Sequence, residues 1–313
     1  MKKILTVENF LSPHRIDLYL KNKLPDFSRN KIIFLLKQGK ILVNAKKVKP
    51  SFLLKGGEKI LLDFQEEKKE LIPLALEKEP QILYEDKNYL IINKPPGVIV
   101  HPNLKNLDEP TISSWLIFKW PFLLGIGEDP LRPGIVHRLD KDTSGVLVIA
   151  KNNQSFFHLK EQFQQRLVKK EYLTLVWGNI KKTSGEINLP LTYSKKSPFR
   201  RKISDFKSTK NISPALTYYQ VIKRFKDFTL LKIIPKTGRT HQIRVHLASL
   251  GFPVVSDNQY GPQKRKLPFT LNRQFLHAAK ISFFTLDGVY LEIEAPLPKD
   301  LEKVLDFLSS LVS

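Results

Sequence analysis

Ile16, Leu20 and Leu24 recur at helical spacing and predict a short amphipathic helix, with Asp17 and Tyr19 pointing away from its apolar face. Ser28 has the chemistry of an N-cap for a second helix from Arg29 to about Gln38, whose apolar positions are Ile32, Ile33, Leu35 and Leu36. Gly39 supplies its stop. The pattern then changes to that of strands. Ile41–Val43 reads as one, Asn44-Ala45 as a turn, residues 46–49 as a basic return strand, and Gly56-Gly57 as a turn before residues 60–62. Ala45 sits where a turn favours glycine, so Asn44 alone is expected to take positive φ. Residues 65–80 carry a charge-dense run, Gln65 to Glu70, then Pro73 and Pro80, with little period. They predict a linker between a module at 12–64 and a larger domain at 81–313.

In the larger domain strands dominate. Residues 82–84 and 89–92 flank a turn at Glu85-Asp86-Lys87-Asn88. Residues 103–133, with Trp115, Trp120 and Pro121, read as loop-rich, an insertion or a lid. Ile135-Val136 and residues 146–149 read as strand ends around a polar loop of His137, Arg138, Asp140, Lys141, Asp142, Thr143 and Ser144. Gly145 gives the backbone freedom where the next strand begins. Phe156, Leu159, Phe163 and Leu167 mark one face of a helix over 153–168, with Lys160, Arg166, Lys169 and Lys170 off that face. Strands are predicted at 171–178, 216–221 and 228–234, the last two joined around Lys226-Asp227. Thr240 is placed to N-cap a helix that ends near Gly251, with Ile243 and Leu247 on one face and Arg244 one residue round. A last helix spans 299–311, with Leu301, Val304, Leu305 and Leu308 apolar. The class is α+β, with more strand than helix between 82 and 295.

Charge narrows the partner. The 313 residues hold 52 Lys and Arg against 30 Asp and Glu, a net charge of +22, which points to a polyanion: nucleic acid or an acidic membrane surface. Residues 194–213, with Lys195, Lys196, Arg200, Arg201, Lys202, Lys207 and Lys210, form a basic surface loop that either contacts phosphates or is merely solvated. The hydrophobic content of 42% allows a sizeable core. Cysteine is absent, which excludes disulfides, thiol nucleophiles and Cys-based zinc sites. No apolar run approaches the roughly 18 residues of a membrane span, and Glu8 follows the basic start too soon for a signal-peptide core. A cytoplasmic protein is expected. There is no Gly-rich phosphate loop, no dinucleotide fingerprint and no His/acid cluster at metal spacing, so no cofactor or metal is expected. The seven histidines are scattered, with His241 and His246 five apart.

By residue type alone the 137–145 loop could be a polar turn with two capping carboxylates. Its order is more specific. His137-Arg138-Leu139-Asp140 followed by Thr143-Ser144-Gly145 resembles the signature loop of the RluA-type pseudouridine synthases. Lys170, Tyr172, Val176 and Gly178 resemble that family's second motif, and Lys236 to Leu247 its third, with Asp257–Gly261 and Leu276-His277-Ala278-Ala279 adding to the match. Residues 14–62 resemble the small RNA-binding module of ribosomal small-subunit protein S-four.

The resemblance implies a mixed, largely antiparallel sheet with flanking helices, beside a small α/β RNA-binding module. It implies isomerisation of uridine to pseudouridine in structured RNA, without a cofactor. Asp140 corresponds to the catalytic aspartate, Tyr172 to the active-site tyrosine, Arg244 to the arginine that pairs with the aspartate, and Arg138 to the residue that fills the space of a flipped-out base. Arg29, Lys31, Lys37 and Lys46, with Lys40 and Lys47, match the positions that present basic groups to RNA, although a solvated helix face would look the same. Members with this module mostly act on large-subunit ribosomal RNA or its assembly intermediate, and residues 26–60 lean toward the RluD-like branch. Neither a membrane nor an obligate protein partner is implied. Two other readings fit parts of the chain. A non-catalytic RNA-binding ribosome assembly factor would explain the charge, and a nucleoside glycosylase would explain one carboxylate at an anomeric carbon.

Overall fold

The computed structural model describes residues 2–9, 12–24, 27, 29–63, 71–102, 108–194, 200–204, 212–262 and 266–311, save the side chains of Lys2, Asn30 and Lys31. The expected cap Ser28, the charged run at 65–70, and Lys195, Lys196, Lys207 and Lys210 lie outside the described residues. The chain divides into two units, Met1–Lys69 and Glu70–Ser313.

In the first unit, helices Ile16–Lys23 and Arg29–Gln38 bury Ile16, Leu20, Ile32 and Leu36 against Ile41 and Ile60. The sheet runs Lys2–Thr6, Lys59–Asp63, Ile41–Val43, Lys46–Lys47, all antiparallel. The Lys2–Thr6 strand extends the unit before residue 12; two lysines and a half-exposed apolar pair give an edge strand little hydrophobic signal. Asp17 and Tyr19, expected off the apolar face, are both buried. Asp17 accepts from Arg15 at 3.0 and 3.2 Å and from Arg29 at 3.0 and 2.7 Å. Burial alone would raise its pKa; the hydrogen bonds from Arg15 and Arg29 outweigh that and hold it below the usual carboxylate range.

The second unit is built on one sheet. Among the described residues nine strands join it, in the order Ser184–Asn188, Leu216–Arg224, Phe228–Pro235, Lys169–Trp177, Leu276–Phe284, Ser144–Ala150, Tyr89–Lys94, Gln81–Glu85, with Tyr290–Glu294 paired to Leu276–Phe284. Every pairing is antiparallel except Leu276–Phe284 with Ser144–Ala150. At that parallel seam Ser144 lies opposite His277 and Gly145 opposite Ala278. Gly145 takes φ 118°, and a Cβ there would run into the Ala278 carbonyl oxygen. The seam closes only with glycine, and the loop carrying Asp140 emerges directly from it. Ser144–Ala150 is buried at every position, as a central strand covered on both faces requires.

Three expectations change. Residues 103–133 are not simply loop: Thr111 caps a helix at Ile112–Lys119 whose first six residues are all buried, Trp115 among them. A helix buried all round has no polar face to give it a period. The next helix ends at Gln165, where Arg166 turns left-handed at φ 62°, so Leu167 lies beyond it and is exposed. Part of the expected linker is packed, with Leu71 against Ile117 and Leu131, and Leu76 in the main core.

The Asn44-Ala45 turn is a further correction. Both residues are left-handed, at φ 46° and 63°, because a two-residue hairpin between Val43 and its partner Lys46 needs positive φ at both central positions. Ala45→Gly is therefore expected to stabilise the first unit by about 0.5–1 kcal/mol, the left-handed strain exceeding glycine's unfolded-state entropy. Thermal unfolding of the full chain checks this; an unchanged or lower first-unit transition would contradict it.

Candidate active site

Beside the seam the 137–143 loop is held by a set of buried hydrogen bonds. His137 Nε2 accepts from the Val148 N–H at 2.9 Å, and its ring stacks on Phe163 at 4.9 Å. Burial pushes His137 down to about 3, so it stays neutral and can accept. Ser144 Oγ lies 3.0 Å from His277 Nδ1, while His277 Nε2 lies 3.2 Å from the Ala295 carbonyl. Burial pushes His277 down to about 4; with one proton on the ring, Nε2 donates to the carbonyl and Nδ1 accepts from serine. Arg273 donates to the Asp142 carbonyl at 3.1 Å. The fully buried Lys94 gives its three donors to the carbonyls of Pro95, Val98 and Lys141, at 2.7, 2.8 and 2.9 Å. The loop is thus held through its backbone, which leaves the Asp140 side chain to other work.

Asp140 Oδ2 accepts from Arg244 Nη1 at 3.0 Å, across 104 residues of sequence. The same guanidinium donates from Nε and Nη2 to the two oxygens of Asp257, at 2.7 and 2.9 Å. Asp257 also accepts from the backbone N–H groups of Gln259 and Tyr260. Burial would raise Asp257, but the Arg244 hydrogen bonds prevail and hold it below the ordinary carboxylate range. Burial likewise works against the Arg244 charge, and its two carboxylates more than restore it. The helix bearing Arg244, Gln242–Ser249, begins later than Thr240 would suggest. His241 precedes it in the left-handed region at φ 56°, without a side-chain cap. Gln242 fixes that start instead: its Oε1 accepts from Thr237 Oγ1 and the Arg239 N–H, and its Nε2 donates to Leu216 O and Thr217 Oγ1.

Asp140 and Arg244 face a cavity of about 590 Å³, within the roughly 300–1,000 Å³ of ligand pockets. Its described lining contains one carboxylate, Asp140, and eight lysines and arginines: Arg132, Arg138, Lys160, Arg166, Lys170, Lys236, Arg239 and Arg244. Tyr172 lies on the same wall, at a bulge in the Lys169–Trp177 strand. Burial, then the negative charge of Asp140, raises its phenol far above the ordinary value, so it keeps its proton. Lys170 is pushed down to about 8 by burial. Arg138 Nη1 lies 3.1 Å from His101 Nε2. His101 is itself pushed down to about 4, by burial and then by Arg132 and Arg138, and as a neutral ring accepts from the guanidinium.

Of the residues singled out from sequence, Asp140, Tyr172, Arg244 and Arg138 meet around this one cavity. Arg29, Lys37 and Lys46 belong to the first unit. Arg29 is committed to Asp17, while Lys37 and Lys46 are exposed; the Lys31 side chain lies outside the described residues. Asp257, His241, His101 and Lys94 had no role assigned from sequence. Asp257 reads as an ordinary turn aspartate, which it also is, and nothing in its spacing announces Arg244.

The RNA pseudouridylate synthase family model matches residues 88–249. The chain belongs to the RNA pseudouridylate synthase family. A second model, the S4 domain, matches residues 14–60. A Bacillus subtilis protein named "Uncharacterized RNA pseudouridine synthase YlyB" is 37% identical over 305 residues, covering 97% of each chain. The "Ribosomal large subunit pseudouridine synthase C" of Vibrio parahaemolyticus is 33% identical, covering 97% of this chain and 95% of its own. The "Ribosomal large subunit pseudouridine synthase D" of Borreliella burgdorferi is 36% identical over 83% of this chain and 79% of its own. Among solved structures, human RNA Pseudouridylate Synthase Domain Containing 4 superposes with TM-score 0.57 at 27% identity, covering 73% of this chain and 92% of that one. The protein is an RNA pseudouridine synthase, and RNA is its substrate.

Asp257 anchors two of the three Arg244 donors that could otherwise swing away from Asp140. Asp257→Asn is expected to lower turnover about 10- to 100-fold through misplaced geometry. Steady-state kinetics with the purified variant checks it, and turnover within threefold of wild type would contradict the anchoring role.

Proposed function

We propose that this synthase isomerises uridines of large-subunit ribosomal RNA or its assembly intermediate, with Asp140 as the catalytic group. The observation that carries the assignment is the cavity in which one carboxylate stands among eight cationic side chains. Cations attract and steer a polyanionic backbone, and the lone carboxylate is left to act on the nucleotide. In the reaction the bond from ribose C1′ to uracil N1 breaks, the base turns, and C1′ bonds to C5, whose hydrogen leaves as a proton while N1 gains one. No redox step or group donor is needed. Asp140 Oδ2 is taken by Arg244, so Oδ1 is the oxygen available to the ribose or the base. Tyr172, protonated and on the same wall, offers a ring to the uracil and a hydroxyl near the exchanging positions.

A base inside folded RNA must be flipped out to reach Asp140, at a cost of a few kcal/mol. Arg138 lies beside the cavity, half-anchored by His101, and its flat guanidinium suits the space the base vacates. In the first unit the exposed Lys37 and Lys46 are assigned to phosphates. Arg29 contributes what exposed edge remains beyond Asp17, and Lys31 joins them on the motif match. The large-subunit substrate is supported by relatives named for it, and a cytoplasmic location goes with that substrate. Relatives carry both the C and the D names, so the D-like branch rests on residues 26–60 alone.

The test is tritium release from unmodified bacterial large-subunit ribosomal RNA labelled at uridine C5, with free uracil assayed in the same tubes. Wild type is expected to release tritium without uracil. Asp140→Asn is expected to release none while binding RNA within about threefold of wild type; appreciable turnover by that variant would overturn the assignment. Released uracil would favour a glycosylase. Lys37→Glu with Lys46→Glu is expected to weaken RNA binding and flatten its salt dependence by about 1–2 units of log–log slope, with kcat at saturating RNA kept. An unchanged slope would remove these lysines from the interface.

A further inference from the structure

Arg244 accounts for one oxygen of Asp140; the other faces His241, whose Nε2 is 4.0 Å from Oδ1. Three observations fix what that ring presents. His241 Nδ1 is 3.0 Å from the Tyr260 hydroxyl. The same hydroxyl accepts the Arg201 N–H at 3.0 Å, so its own proton is free to point at Nδ1. Burial lowers the His241 pKa, which favours a ring with a single proton. A neutral ring that accepts the Tyr260 proton on Nδ1 carries its own proton on Nε2, the nitrogen on the Asp140 side.

The arrangement is built rather than incidental. His241 occupies the left-handed region at φ 56°, a conformation that costs a non-glycine residue about 1–2 kcal/mol. Strain of this kind persists where the surrounding structure fixes it, typically at functional sites. Tyr260 is fixed as well: its backbone N–H donates to Asp257, and its ring lies 5.2 Å from the Arg244 guanidinium and 5.3 Å from that of Arg200. A gap of 4.0 Å leaves Oδ1 free to meet substrate, and such contacts commonly tighten only once substrate is bound.

We propose that His241 is a positioning residue for Asp140, its Nε2–H held toward Oδ1 by the Tyr260 hydroxyl while Arg244 holds Oδ2. The two oxygens are then distinguished: Oδ2 is fixed in a charged pair, and Oδ1 keeps a neutral donor that follows it as its charge changes during the reaction. Arg200 and Arg201 connect this arrangement to the basic 194–213 segment, whose backbone supplies the N–H that orients Tyr260.

The inference rests on Asp140 as the catalytic group, and the test separates the two. Tritium-release kinetics would be measured for wild type, Asp140→Asn, His241→Ala, His241→Gln and Tyr260→Phe. His241→Ala is expected to lower kcat about 10- to 100-fold with KM within threefold. His241→Gln, whose amide N–H reaches the place of Nε2–H, is expected to recover to within about threefold of wild type, which a merely structural role would not produce. Tyr260→Phe keeps the ring between the arginines but releases the tautomer, and is expected to lower kcat several-fold at unchanged KM. If His241→Ala keeps kcat within threefold, or His241→Gln is no better than His241→Ala, the proposal is overturned while a dead Asp140→Asn leaves the catalytic assignment standing. Turnover by Asp140→Asn would overturn both.

Discussion

The guanidinium of Arg244 sits between two carboxylates, and the geometry of the site depends on it. A planar fork with fixed donor directions can satisfy Asp257 bidentately and still aim a third N–H at Asp140. A lysine would supply the charge without the directions. Because the cluster is largely buried, an unpaired member would cost several kcal/mol, so the three groups hold one arrangement together. Asp257 in turn is fixed by backbone donors of its own turn, so the chain of constraint ends in the main chain rather than in another mobile side chain.

The loop that carries Asp140 is set against that cluster beside a single parallel seam. Gly145 allows the Ser144–Ala150 strand to meet Leu276–Phe284, and the loop before it is then held by Lys94, Arg273 and neutral histidines. His137, His277 and His101 all lie well below their ordinary pKa because they are buried, and each uses an unprotonated nitrogen as an acceptor. The site therefore takes its charge chiefly from arginines, while burial brings Lys170 down to about 8, and its orientation from imidazoles that stay uncharged.

Much of this was legible in the sequence, for identifiable reasons. Largely apolar runs marked the strands at 89–92 and 228–234, and a run at helical spacing marked the last helix. The motif strings brought Asp140, Tyr172 and Arg244 together across more than a hundred residues. What was not legible has physical causes. The first six residues of the Ile112–Lys119 helix, more than a full turn, are all buried, so it carries no amphipathic signal. Asp17 is a buried carboxylate held by two half-exposed arginines, which a hydrophobic pattern reads as solvent-facing. Ala45 and His241 adopt a left-handed backbone that their residue types disfavour, so only the surrounding contacts determine it. Asp257 serves a turn and an arginine at once, and the turn alone explains its presence locally.

With one guanidinium shared between them, Arg244 and Asp257 are expected to act on Asp140 as one unit. A double-mutant cycle in kcat tests it most directly, with Arg244→Lys, Asp257→Asn and the two combined, each measured at saturating RNA. If they act as a unit, the double variant is no slower than Arg244→Lys alone, within about threefold, because the anchor has nothing left to hold once the fork is gone. If the two losses multiply, Arg244 and Asp257 act independently, and the account of how Asp140 is placed is wrong.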